Sequence, residues 1–355
     1  ALMQKLATPL ILLLAANAFA SPAEAERIKR GYELSVETWE LKMKIADTPE
    51  EKQALWEKRP SPATAATHLW TNIAGSMSED WTIPYAAFYL NLTHHAATSD
   101  PEISKCRQTI IEAFEANHLQ KPNIASFCTA MVASGSARSL PVLEKVISKN
   151  PDLKTQGVAA LGAALLLKNL GDSPQILEKR ISHLRTAIIN AAEEKIGDKS
   201  VADVARDEIF IINHLIKGRI PPEFSGTDAT GRIIRSTEFK NKITILLFWD
   251  LQSPEIEKII QLNNQLVEKY SEAPIAIIGI TPEPLGDVRK LQGDDTVQWN
   301  NIIDSKDEIA SLYRIRNRPV VFVIDATGKL EYSGSPGSFV ELTVDALLAG
   351  EAPKQ

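Results

Sequence analysis

Cysteine is nearly absent from the chain: 355 residues carry two, Cys106 and Cys128, and no cysteine lies beyond residue 128. Histidine is sparse as well, with six residues of which the last is His214, so residues 219–355 contain no imidazole. A hydroxyl or thiol nucleophile in that stretch would have no histidine base from its own segment. Basic charge is not in excess. Lys and Arg number 39 against 45 Asp and Glu, a net charge of −6, which argues against a nucleic-acid partner because phosphate binding needs a basic footprint. No apolar run reaches the ~20 residues that span a bilayer. With 44% hydrophobic and 24% charged residues, the composition excludes both a disordered chain and a membrane bundle. The length fits two domains.

The longest apolar stretch is Leu6–Phe19, preceded by Lys5 and followed by Ala18-Phe19-Ala20 and Ser21-Pro22. A basic residue, an apolar core of this size and small residues flanking one large one predict a secretory signal over residues 1–20. Ala23-Glu24-Ala25 offers a second cleavage site. No cysteine follows either site, which excludes the bacterial lipoprotein route, so the expectation is an exported, periplasmic or extracellular protein with no membrane span after cleavage.

Residues 21–218 read as one helix after another, with apolar residues three and four apart over 24–46, 49–58, 62–75, 83–97, 101–117, 122–134, 138–149, 152–170, 174–195 and 199–217. Polar residues followed by proline mark starts at Thr48-Pro49, Ser61-Pro62, Asp100-Pro101, Asn150-Pro151 and Ser173-Pro174. Stacked hairpins in a solenoid-like arrangement follow, without a fixed repeat period. Cys106 and Cys128 fall on apolar stripes of neighbouring predicted helices. In an antiparallel pair they are about five positions out of register, an axial offset of ~7 Å that a disulfide tolerates poorly. Buried free thiols are expected, with a disulfide as the alternative. Trp39, Trp56, Trp70 and Trp81 are read as packing anchors. His94-His95 is a poor metal pair, because adjacent helical side chains diverge. The small-residue run Gln156–Leu167 lets neighbouring helices come close.

After Lys217-Gly218 strands appear: a hairpin turning at Ala229–Gly231, a core strand 243–249, a helix from Ser253 to about 271, a strand 274–280, a helix 284–292, a short strand 297–303, a helix 305–313, a strand 320–324, a turn at 325–328, a strand 329–333 and a helix 338–348. Strand, crossover helix and strand make a parallel βαβ unit, and the last two strands form an antiparallel pair. The fold class is therefore α + α/β, an N-terminal all-helical solenoid-like domain (21–218) and a C-terminal mixed-sheet domain (219–350).

The segments Ile220–Phe224, Asp228–Gly231, Lys242–Trp249 and Tyr313–Asp325, followed by Gly328-Lys329, occur in an order and spacing that resemble a known family. Residues 219–350 resemble the redoxin branch of the thioredoxin-like fold, the TlpA- and ResA-like thiol-disulfide oxidoreductases and, more distantly, the peroxiredoxins. That resemblance implies a Phe-Trp strand end, here Phe248-Trp249, and a helix opening on Trp-Cys-x-x-Cys. The two cysteine positions fall on Ser253 and Ile256, and the single peroxiredoxin cysteine also falls on Ser253. It further implies a cis bond at Arg318–Pro319 and a groove beside it that pairs with extended peptides, for which Trp249, Asp250, Arg318 and Pro319 are the candidates.

Neither matching position carries sulfur. A cysteine at a helix start is activated as thiolate, whereas a serine hydroxyl stays protonated there and forms no mixed disulfide. Ser253-Pro254-Glu255 reads instead as an N-cap, a first-turn proline and an acid suited to the helix dipole. Arg314, Arg316 and Arg318 bring positive charge toward Pro319, with Asp250, Glu255 and Glu257 across the turn. These charges are read as solvated ion pairs, or alternatively as a site for an anionic or peptide partner. The expected function is an exported, non-catalytic binding or assembly module, with no metal and no cofactor. The alternative is a thiol-disulfide oxidoreductase or peroxiredoxin-type antioxidant acting through cysteines outside the usual motif.

Overall fold

A computed structural model describes residues 20–94 and 100–350. Two compact units divide at Arg206/Asp207. The expected signal segment, apart from residue 20, and the end of the helix expected over 83–97 lie outside the described residues.

The N-terminal unit is mostly helical: α1 (Pro22–Ile45), α2 (Pro49–Glu57), α3 (Pro62–Ile73), α4 (Ile83–Leu92), α5 (Pro101–Asn117), α6 (Ala125–Ala133), α7 (Ser139–Lys149), α8 (Leu153–Leu167) and α9 (Pro174–Ala191). A small hairpin, β1 (Lys195–Ile196) and β2 (Lys199–Ser200), interrupts the helical pattern that was expected to run on to residue 195. Gly197 at φ 63° turns it.

Side-chain caps set most of the helix starts. Ser21, Thr48, Ser61, Asp100 and Ser173 each accept a hydrogen bond from a backbone N–H in the first turn of the helix that follows. Thr48 and Glu51 form a reciprocal capping box. The start expected at Asn150-Pro151 differs. Asp152 is the cap of α8, its carboxylate accepting from Thr155 N at 3.0 Å. Asn150 instead ties the end of α7 to the turn between α5 and α6, its Nδ2 donating to the carbonyls of Leu119 and Lys121 at 2.8 and 2.9 Å.

α8 packs against α6, α7 and α9, and small residues make that possible. A Cβ on Gly157 would stand 2.5 Å from Ala191 Cβ, and one on Gly162 2.9 Å from Val132 Cγ2. Phe114 and Phe127 stack with centroids 3.9 Å apart. The tryptophans pair in the packing: Trp39 with Trp56, Trp70 with Tyr89, and Trp81 with Tyr85. Both cysteines are free thiols. Cys128 is fully buried, but Cys106 is only half-buried, because it sits one position off the stripe that Arg107, Ile110 and Phe114 bury.

The C-terminal unit begins at Asp207, inside α10 (Val201–His214) and ahead of the change of pattern at Gly218. Phe210, Ile211 and Leu215 belong to its core, which explains the difference. Its further elements are β3 (Ser225–Thr227), β4 (Ile233–Arg235), β5 (Ile243–Phe248), α11 (Ile256–Lys269), β6 (Ile275–Thr281), α12 (Leu285–Gly293), β7 (Asn300–Ile303), α13 (Glu308–Leu312), β8 (Val320–Ile324), β9 (Leu330–Gly334) and α14 (Ser338–Leu348). Five strands form one sheet in the order β7-β6-β5-β8-β9. β5, β6 and β7 run parallel, whereas β8 is antiparallel to both β5 and β9.

Every residue of β5 is buried, and its side chains alternate between two cores. Leu246 and Phe248 point to the face covered by α13, the β3–β4 hairpin and the residues of α10. Ile243, Ile245, Leu247 and Trp249 point to the face covered by α11 and α14. This is the mixed sheet with helices on both faces that the sequence pattern predicts.

Candidate functional site

Strand register places the candidate site. Phe248 pairs with Val320, so the turn after β5 and the residues before β8 meet at the same end of the sheet. The Arg318–Pro319 peptide is cis, as the resemblance implies. A separate cavity of about 420 Å³, lined by Phe224, Phe239, Thr244, Tyr313 and Ile324 among others, lies toward the opposite end, where Thr244 pairs with Ile324. Four strand residues, ~13 Å, separate the Thr244 and Phe248 pairs.

The turn itself departs from the expected helix start. α11 begins at Ile256, not Ser253, and no side chain caps it. Ser253 makes a local turn instead: its carbonyl accepts from Ile256 N at 3.1 Å and its Oγ from Glu255 N at 3.4 Å. Pro254 is therefore outside the helix. The turn is held from the loop after β6, since Glu283 accepts from Leu251 N at 2.7 Å, while Asp250 accepts from Gln252 N at 3.1 Å. Ser253 and Ile256 are both half-buried, and Ile256 packs on the core beneath α11.

Trp249 lines no groove. It is fully buried, donates Nε1–H to Asn301 Oδ1 at 2.9 Å, and meets Trp299 edge-on at 5.8 Å between centroids. Gly279 makes room for this cluster, because a Cβ there would fall 1.9 Å from Asn301 Oδ1. An isolated glycine inside the apolar strand Ile275–Thr281 was the sequence signal for that close approach. The partners Asn301 and Trp299, some 50 residues on, gave none.

The three arginines do not converge on Pro319. Arg314 pairs with Asp207 at 2.9 Å and lies 4.1 Å over the Phe210 ring. Arg318 pairs with Asp307, and Arg316 is exposed. The ion pairs thus run to α10 and to the residue before α13, and not across the turn to Asp250, Glu255 or Glu257. What the site does offer is backbone. The N–H groups of Arg316, Asn317 and Arg318 make no hydrogen bond among the described residues.

Nucleophilic chemistry finds no support in this geometry. His214 lies against Phe210, ring centroids 4.7 Å apart, on the face of the sheet opposite α11, and cannot serve Ser253 as a base. No group of three His, Cys, Asp or Glu residues capable of holding a metal occurs among the described residues.

Residues 218–333 match the AhpC/TSA family. The C-terminal unit is a redoxin-type, thioredoxin-like domain. Among curated relatives, the thiol-disulfide oxidoreductase ResA of Geobacillus thermodenitrificans is 27% identical over 115 residues, 32% of this chain and 66% of that protein. ResA of Bacillus thuringiensis subsp. konkukian is 30% identical over 114 residues, again 32% of this chain and 66% of the relative. The chain thus spans just under two thirds of the length of these relatives. Among solved structures, the thioredoxin domain of a thiol-disulfide oxidoreductase from Bacteroides vulgatus is 21% identical, covering 37% of this chain and 96% of that one, with a TM-score of 0.34. A thiol-disulfide oxidoreductase from Bacteroides fragilis is 20% identical, covering 36% and 99%, also with a TM-score of 0.34. The redoxin domain carries Ser253 and Ile256 where the resemblance puts the two cysteines.

Proposed function

We propose that the redoxin domain binds an extended polypeptide segment without thiol chemistry, in an exported protein. The observation that carries this reading is the row of unpaired N–H groups at Arg316, Asn317 and Arg318, beside the cis Pro319. In an extended segment alternate N–H groups share an edge, so those of Arg316 and Arg318 can pair with a partner strand, main-chain hydrogen bonds supplying the affinity. Exchange chemistry requires a thiolate that attacks a disulfide and becomes part of a mixed disulfide, and the oxygen of Ser253 can do neither. Ile256 can resolve nothing.

A probe is an S-carboxymethylated, unfolded polypeptide, which has free backbone and no thiol. Backbone-amide NMR should show shifts at Arg316–Arg318 and across Asp250–Ile256 as it is titrated. Absence of shifts at both segments would reject the reading. Export draws support from the apolar run Leu6–Phe19 and is checked by the mass of the mature chain, expected to begin at Ser21 or Glu26.

A second reading has one observation in its favour: Cys106 is free and only half-buried. Thiol-disulfide or peroxide reduction would then proceed through Cys106, because burial pushes the Cys128 thiol up to about 12. Dithiothreitol-coupled insulin reduction that disappears in Cys106→Ser would establish it.

A further inference from the structure

Thr244 is the one polar residue of β5, a strand otherwise built of Ile, Leu and Phe. Strand alternation puts its side chain on the face of Leu246 and Phe248, the face covered by α13 and the β3–β4 hairpin. Only 4% of Thr244 is exposed. Its side chain makes no hydrogen bond among the described residues, yet Oγ1 is not one of the sealed polar atoms left without a partner. The small open fraction of this residue therefore includes the hydroxyl.

That opening lies in the cavity of about 420 Å³ at the end of the sheet away from the cis proline, where Thr244 is a lining residue. Pro221, Phe224, Phe239, Tyr313 and Ile324 supply apolar wall. Hydrogen bonds fix that wall. Tyr313 donates its O–H to the Pro222 carbonyl at 2.8 Å, and Phe224 donates N–H to Ser236 Oγ at 3.0 Å while its carbonyl accepts from Ser236 N at 2.9 Å. Of the charged lining residues, Glu223 and Lys240 are exposed and opposite in sign, and Asp325 spends Oδ1 on the N–H groups of Thr327 and Lys329 in its own turn. An ion entering would lose water without meeting a buried counter-charge, a cost that a neutral ligand avoids. The volume lies within the range of small-molecule sites, which combine apolar walls with a few placed polar groups. Here the placed group is a hydroxyl, free to rotate, whose proton has no acceptor.

We propose that this cavity binds a neutral, largely apolar small molecule carrying one carbonyl oxygen, which accepts the Thr244 O–H. Small aryl and alkyl ketones are the chemical class that fits. The proposal stands independently of strand pairing at Arg316–Arg318, which belongs to the other end of the sheet.

The test compares acetophenone with ethylbenzene, which share a ring and a two-carbon chain and differ in the carbonyl, on the full chain and on Thr244→Val. That substitution keeps the branched shape, suits a strand and removes the hydroxyl. Methyl NMR signals of Ile220, Ile324 and Ala326 report occupancy. Acetophenone should shift them in the unaltered protein. Thr244→Val should weaken acetophenone about tenfold, because its carbonyl is then buried without a donor, and should leave ethylbenzene bound as before or more tightly. No response of these methyls to acetophenone in the unaltered protein would overturn the proposal, as would an equal change for both ligands in Thr244→Val. The first of these outcomes is read without any variant, so the test survives if Thr244→Val fails to fold.

Discussion

Ser253 occupies the position on which the resemblance places a reactive thiol, and its surroundings assign it a small structural role. Its Oγ meets Glu255 N at 3.4 Å and leaves the first turn of α11 uncapped. Ser253→Ala should therefore change stability by less than about 0.5 kcal/mol in urea unfolding, whereas a true N-cap would cost about 1 kcal/mol. Cys128 gives a second prediction at this scale. With zero exposure and a thiol pushed up to about 12 by burial, it holds its proton at pH 8, where the attacking thiolate is needed. Iodoacetamide at pH 8 should modify Cys106 in the native protein and reach Cys128 only after unfolding, as read by peptide mass. Modification of both at equal rates would contradict the burial. Much at this scale was legible: most caps follow from residue type and spacing, while the missing sulfur and the cis bond before Pro319 follow from the family resemblance. Trp249 was not, because its partner Asn301 lies 52 residues away and only the register of β6 and β7 brings them together.

Individual elements depend on close fits and on charge placed at helix ends. Arg107 is 4% exposed and donates to the carbonyls of Leu90 and Ser134 and to Thr93 Oγ1, at 2.8, 2.8 and 2.6 Å. Leu90 and Ser134 close the C-terminal ends of α4 and α6, whose partial negative charge offsets the buried guanidinium. Replacing Arg107 by Ala should cost about 3 kcal/mol, measured by urea denaturation, because the freed carbonyls lose a charged donor. At Gly157, α8 approaches α9 so closely that an added Cβ would stand 2.5 Å from Ala191 Cβ. Gly157→Val should lower stability by about 1–3 kcal/mol through overpacking, against the gain in helix propensity that an exposed position would show. The helix periods and the small-residue run were legible, since both are local. The β1–β2 hairpin was not: Glu194–Ser200 contains a single glycine amid charged residues, and nothing in its pattern breaks the helical reading before that turn.

At the scale of the whole molecule, the change of grammar at Lys217-Gly218 marks where strands begin, but the C-terminal unit begins earlier, at Asp207. A helix that continues a helical array gives no local sign that its last turns belong to the next core. A fragment spanning 207–355 should unfold at higher urea than one spanning 219–355, because the latter lacks Phe210, Ile211 and Leu215. The deficit expected from removing such core side chains is at least about 2–5 kcal/mol. Equal midpoints would move the boundary back to the sequence-based position. The mixed sheet with helices on both faces was legible from strand length and crossover helices, whereas the strand order and the arginine ion pairs, set by Asp207 and Asp307, were not.

The central claim is that this redoxin domain binds and does no thiol chemistry. Insulin reduction with dithiothreitol and peroxide consumption, run on the full chain, on Cys106→Ser and on the double variant Ser253→Cys, Ile256→Cys, test it most directly. Buffer-level rates are predicted for the first two, and turnover only for the double variant. Turnover by the unaltered chain that vanishes with Cys106→Ser would contradict the account.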